Sequence, residues 1–146
     1  MPPGHVKECH LHKFLEDAAA LPPAFAGIIR KTAEPFIQVI FDLEVPRMAF
    51  GRVCLIGDAA FTARPHAAAG TAKAAEDGWT LAQTLRTCDG NVVGALRQWE
   101  VSQLALGQQL VARSRDAGER LQHDRWTVGE ALSFGLYRIG DSTFDD

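Results

Sequence analysis

Arg52 leads a short apolar run, Val53-Cys54-Leu55-Ile56, that closes on Gly57-Asp58, and no other feature of the chain constrains its fold as much. An apolar run of that length without alternation is the pattern of a strand buried on both faces. Alanine occurs 22 times in the 146 residues, and nine of those alanines fall between positions 59 and 75. So little side-chain volume lets backbones, or a flat ligand, come close. On this reading the strand covers about 52–56, and Gly57 lets a ligand backbone approach. Asp58 then stands at the strand's carboxyl end, facing a groove, where it can accept hydrogen bonds from the hydroxyls of a polyol or ribose. A loop containing Arg64-Pro65-His66 feeds a helix N-terminus whose unpaired N–H groups suit an anionic or electron-rich ligand edge. The same residues also read as a plain strand–loop–helix unit with an alanine-rich packing helix.

Composition narrows the function class. Fifteen Lys and Arg against 18 Asp and Glu give a net charge of −3, and no basic run exceeds a pair, so a nucleic-acid partner is not expected. Apolar stretches are broken by charge well short of the ~18–20 residues of a membrane span. The start, Met1-Pro2-Pro3-Gly4-His5, lacks the pattern of a secretory signal. Cys9, Cys54 and Cys88 are odd in number and show no CxxC spacing, which predicts free thiols and a reducing, cytoplasmic setting.

The periodicities predict a mixed α/β, helix-rich chain. A weak stripe of Phe14, Leu15, Ala18 and Ala19 marks a first helix, and Pro23 opens a second one reaching Lys31, with Phe25, Ile28 and Ile29 inward. Residues 36–43 are β-branched and aromatic and read as a strand. A helix is expected over 68–86 with Ala72, Ala75, Trp79, Ala82 and Leu85 inward, and Cys88-Asp89-Gly90-Asn91 stops it. A long helix follows over about 92–122, its inward stripe being Leu96, Trp99, Leu104, Leu110, Val111 and Leu121. One more helical piece is expected near 128–137. Two short strands make a poor sheet by themselves, so the chain reads as the end of something larger. Val53, Leu55, Ile56 and one face of 36–41 should then form an exposed apolar patch that favours self-association, a homodimer included.

Gly51-Arg52-Val53 through Gly57-Asp58-Ala59-Ala60, with Pro65, Gly70 and Asp77, resembles the second flavin-binding motif of the class A flavoprotein aromatic hydroxylases, which share the fold of 4-hydroxybenzoate hydroxylase. Two stretches are most similar to the 2,6-dihydroxypyridine 3-hydroxylase branch. They are Ala63-Arg64-Pro65-His66-Ala67-Ala68-Ala69-Gly70 followed by Ala72-Lys73-Ala74, and Phe41-Asp42-Leu43-Glu44-Val45-Pro46-Arg47-Met48. The resemblance covers roughly residues 20 to 120. It implies an FAD-dependent monooxygenase that hydroxylates a small electron-rich aromatic or hydroxypyridine ring with NAD(P)H and O₂. It implies that Gly57 and Asp58 meet the ribityl chain of FAD. Pro65, Ala67, Ala68, Ala69 and Gly70 would lie along the flavin, and His66 at the ring face is the candidate for substrate binding or proton transfer. It also implies a division into the end of a substrate-binding domain (1–49), a flavin-binding strand–loop–helix (50–90) and a C-terminal helical region (91–146). This chain has Phe61 where the family often has His, Ala67 where it often has Gly, and Ala72 where it often has Asn.

The family's Gly-x-Gly-x-x-Gly turn, which holds the ADP part of FAD, does not occur in these 146 residues. The chain therefore reads as the carboxyl-terminal portion of a longer hydroxylase, inactive by itself. The alternative is a truncated module that folds or dimerises without FAD. Among rival signals, His5, Cys9, His10 and His12 are close together but match no common zinc spacing, so no metal site is expected. Trp79, Trp99 and Trp126 sit on helical stripes and read as core or interface. Cys54 is expected to be buried and inert, and Arg113, Arg115, Asp116, Glu119 and Arg120 to form a solvated helix face with i, i+4 pairs.

Overall fold

The computed structural model describes residues 6–123 and 135–136; Trp126, His5 and nearly all of the helix expected at 128–137 lie outside the described residues. The chain divides into two compact units, Met1–Ile40 and Phe41–Asp146.

The first unit pairs two helices, α1 (Glu8–Ala18) and α2 (Pro23–Lys31). Pro23 stands in the first turn of α2, where its fixed φ suits the helix and its missing N–H is no loss. The bounds expected for α2 hold, but its orientation does not. Ala26 is the buried residue, whereas Phe25 and Ile28 are exposed and Ile29 is only half-buried. On α1, Ala18 is buried and Phe14 and Leu15 are exposed. The strand expected over 36–43 is absent too: regular pairing begins only at Leu43, and Phe36, Ile37, Val39, Ile40 and Phe41 are all exposed. Strand propensity reports how well a residue fits a half-buried pleated surface, and no neighbouring strand among the described residues supplies that surface.

The second unit contains four two-residue strands in two antiparallel pairs, where the pattern suggested two strands in all. β1 (Leu43–Glu44) pairs with β4 (Phe61–Thr62), and β2 (Ala49–Phe50) with β3 (Val53–Cys54). Gly51, at φ +66, starts the two-residue β2–β3 loop, a position where a side chain would be strained. The strand at 52–56 is thus shorter than expected and sits in an antiparallel hairpin. It is not sandwiched either: Val53 is 63% exposed and Ile56 is exposed, while Cys54 and Leu55 are half-buried. An unbroken apolar run encodes two covered faces, and the described residues cover one.

Two helices dominate the unit, α3 (Gly70–Thr87) and α4 (Val92–Gln122). Asn91 caps α4 by accepting from the Gly94 N–H at 3.0 Å. The link between the helices turns through Asp89 and Gly90, both at positive φ. α4 is about 46 Å long at 1.5 Å per residue. It buries Leu96, Trp99, Gln103, Leu110, Val111 and Ser114 in one stripe, while Leu104 is half-buried and Leu121 is exposed. Met48, Ala49, Ala60, Phe61, Leu96, Trp99 and Val111 form the core.

The inward face of α3 is the reverse of the one expected. Ala72, Ala75, Ala82, Leu85 and Trp79 (66% exposed) point outward, and Lys73 and Asp77 are buried. Spaced i, i+4 and bonded to each other, these two charges neutralise one another and can be taken out of water together.

Phe61 packs against the α4 backbone at Gly107, where a methyl group would come within 2.3 Å of a ring carbon. Gly107→Ala therefore sets two effects against each other. Helix propensity would gain about 1 kcal/mol, but overpacking costs about 1–3 kcal/mol. Net destabilisation is expected in urea unfolding; a stabilised variant would show that the Phe61 ring can move aside freely.

Candidate functional site

β3 ends at Cys54, and Leu55 and Ile56 continue extended into a one-turn 3₁₀ helix, Gly57–Ala59. Asp58 therefore stands on a helical turn instead of at the strand's end, and it is exposed. Gly57 is buried at φ +55. Its missing side chain does not open space for a ligand, as the sequence suggested. A Cβ there would come 3.0 Å from the Ala74 Cβ, so the glycine admits α3. The Gly57 N–H donates to Asp77 Oδ2 at 2.9 Å, and Asp77 Oδ1 accepts from Lys73 Nζ. One buried carboxylate thus locks the turn that carries Asp58. Lys73 Nζ also lies 5.5 Å from the centre of the Phe61 ring.

After β4 the chain passes Arg64 into a second 3₁₀ turn, Pro65–Ala67. Pro65 and Ala68 are exposed, His66 and Gly70 are half-buried, and Ala67 and Ala69 are buried against Leu110 of α4. Ala68 adopts a left-handed conformation at φ 49, and its N–H donates to Pro65 O at 2.9 Å. The α3 N-terminus at Gly70 has no side-chain cap. Gly135 donates its N–H to Ala67 O at 2.8 Å, and Arg113 donates to Gly135 O. His66 rests on Gly118, where a Cβ would come 2.8 Å from its ring, and His66 Nδ1 is buried with no hydrogen-bond partner among the described residues.

Asp42 organises the charged side of this region. Its Oδ2 accepts from Arg64 Nε at 3.0 Å and from Arg115 Nε at 2.8 Å, while Arg115 Nη1 lies 2.7 Å from Glu44 Oε1. Arg115 is therefore not part of a merely solvated face, although Arg120 does pair with Asp116 at 2.9 Å as the spacing suggested. Burial raises the Asp42 pKa, but the hydrogen bond from Arg115 and the charge and hydrogen bond of Arg64 outweigh it and hold the carboxyl below its ordinary 3.8. A carboxyl depressed on folding adds stability above its unfolded pKa and loses it as pH falls through the folded value. The unfolding midpoint should accordingly drop more steeply below about pH 4 in the wild type than in Asp42→Asn. Parallel acid profiles would show that Asp42 titrates alike in both states. The Cys54 thiol is pushed up by burial and then by the charge of Asp77, so it stays protonated and unreactive.

The pattern missed the roles of Lys73 and Asp77, although their i, i+4 spacing was a signal. No local signal could have joined Asp42 to Arg115.

A family model described as FAD binding domain matches residues 40–114, which contain the Gly57-Asp58 turn, the alanine loop, α3 and most of α4. The chain belongs to the FAD binding domain family. FAD is the cofactor that membership implies. Among proteins similar to this FAD binding domain chain is the 2,6-dihydroxypyridine 3-monooxygenase of Paenarthrobacter nicotinovorans, 39% identical over 134 residues, which are 90% of this chain and 34% of that protein. The salicylate hydroxylase of Pseudomonas putida is 29% identical over 140 residues, 93% of this chain and 29% of that one. The solved structure of 2,6-dihydroxypyridine-3-hydroxylase from Arthrobacter nicotinovorans superposes with a TM-score of 0.80 at 36% identity, covering 98% of this chain and 38% of that one. The helix-rich α/β architecture thus matches part of that solved hydroxylase structure, and the chain spans about a third of the length of these relatives. Among the described residues, no helix is long and apolar enough to cross a membrane.

Proposed function

We propose that this chain forms the flavin-cradling part of an FAD-dependent monooxygenase that hydroxylates a small, electron-rich aromatic or hydroxypyridine ring with NAD(P)H and O₂. The observation that carries the reading is the Asp77-locked turn presenting an exposed Asp58, followed by a loop whose buried Ala67 and Ala69 leave mainly backbone on offer. These residues fit FAD. Asp58 is a carboxylate acceptor for ribityl hydroxyls, and with methyl side chains at 67–69 a planar ring can approach main-chain amides. FAD, when bound, supplies the redox chemistry.

The protein's part is binding, orientation and electrostatics. The amides of Ala67, Ala69 and Gly70 and the positive end of α3 favour negative charge at the flavin's pyrimidine edge, the Ala68 N–H being taken by Pro65 O. Pro65 and His66 face the substrate side. His66 Nδ1 has no hydrogen-bond partner among the described residues, so a polar group of the substrate can pair with it. In this division residues 1–49 close a substrate domain, 50–90 hold the flavin and 91–146 support it. A cytoplasmic setting accompanies the reading.

The test is titration of the 146-residue chain with FAD, followed by flavin fluorescence. A dissociation constant of about micromolar to millimolar is expected, because the sequence contains no glycine-rich diphosphate turn. Asp58→Ala should weaken binding by about 1–3 kcal/mol through unpaired ligand hydroxyls, with an unchanged unfolding midpoint because Asp58 is exposed. A chain that leaves FAD fluorescence untouched at millimolar concentration favours the module without FAD.

A further inference from the structure

We propose that Asp42 is the positioning residue for the Arg64-Pro65-His66-Ala67 turn, acting through Arg64; the consequence for flavin binding rests on the FAD reading above. Asp42 directly precedes β1 and Arg64 follows β4, and the β1–β4 register pairs Leu43 with Thr62. The two side chains therefore extend the strand pair beyond its last backbone partners. The Asp42 side chain is 7% exposed and takes both arginines on one oxygen, while Oδ1 is buried without a partner among the described residues. Arg115 brings in α4, so one carboxylate joins the segment before β1, the turn and the long helix.

Two carboxylates, Asp42 and Glu44, balance two guanidiniums, Arg64 and Arg115. The cluster offers no net charge to draw a ligand, which points to positioning instead of binding. Gly118 carries the coupling onward. A Cβ there would lie 2.8 Å from the His66 ring and 3.5 Å from Arg64 Nη1, so both side chains rest on the same bare stretch of α4. Gly118 is thus a shared seat through which a shift of Arg64 would reach His66. A buried carboxylate with an unused oxygen is a poor device for stability alone.

The test compares hydrogen exchange of peptides covering 63–71 in the wild type and in Asp42→Asn, together with FAD titration and the Arg64→Gln double-mutant cycle. Exchange over 63–71 should quicken about tenfold more than exchange in the α3–α4 core in Asp42→Asn, because the local loss adds to the smaller global one. FAD binding should weaken about tenfold, and in the Arg64→Gln background Asp42→Asn should add less than about twofold. Unchanged exchange over 63–71, a rise there no larger than in the core, or additive losses in the cycle would overturn the proposal. If the wild type takes up no FAD, the FAD reading fails and the exchange result still decides the role of Asp42. Should Asp42→Asn not fold, Arg64→Gln alone must show the faster exchange and Arg64→Lys must restore part of the protection; otherwise the inference is wrong.

Discussion

Asp77→Ala is expected to destabilise the protein by about 3–5 kcal/mol, the cost of leaving a buried charge unpaired. Lys73 is almost fully buried, and Asp77 is its ion-pair partner. The same substitution frees the Gly57 N–H, so the turn carrying Asp58 loses its anchor along with the stability. Urea unfolding at neutral pH measures the first effect and FAD titration the second. Removing both charges should be far milder. A Lys73→Met, Asp77→Leu double variant removes the desolvation cost together with the attraction, and pairs replaced this way are often neutral or better. Yet the double variant should still bind FAD poorly, because leucine cannot accept from Gly57. A single variant that loses less than about 1 kcal/mol would mean that Lys73 reaches water by a small rearrangement.

Trp99→Ala should cost a similar amount, about 3–5 kcal/mol for a large aromatic truncated in a core. Trp99 is the largest fully buried side chain among the described residues. Its indole N–H donates to the Asp77 carbonyl and to Thr80 Oγ1, each at 3.1 Å, which bolts α4 to α3 at the level of the buried ion pair. Trp99→Phe separates packing from polarity. It keeps most of the ring and should cost about 1–3 kcal/mol for the two indole hydrogen bonds lost. Thermal unfolding of the two variants reads the difference. Equal losses would mean that the hydrogen bonds, and not the ring volume, hold the helices together.

Where the pattern was local, it was legible. Pro23 and Lys31 bound α2, and Asn91 and the run to Gln122 bound α4, because caps, proline and 3.6-residue spacing act within a few residues of themselves. The glycine–aspartate turn and the alanine loop stood out for the same reason, and with them the family. The stripe on α3 misled because alanine and tryptophan score as apolar, whereas the buried pair is charged and becomes acceptable inside only as a pair. Residues 36–43 misled differently: their β-branched and aromatic side chains suit a sheet that the described residues do not provide.

The sequence by itself determined the bounds of α2 and α4, the small-residue loop at 63–70, and membership in an FAD-binding family, since each depends on neighbours along the chain. α3 starts at Gly70 and not at 68 as expected, because Ala68 turns left-handed at φ 49. Only the tertiary structure decided which face of α3 turns inward, that Gly57 makes room for Ala74, and that Asp42 holds both Arg64 and, 73 residues further along the chain than itself, Arg115. Those outcomes depend on which desolvated groups find partners from distant segments, and hydrophobic spacing carries no record of that pairing.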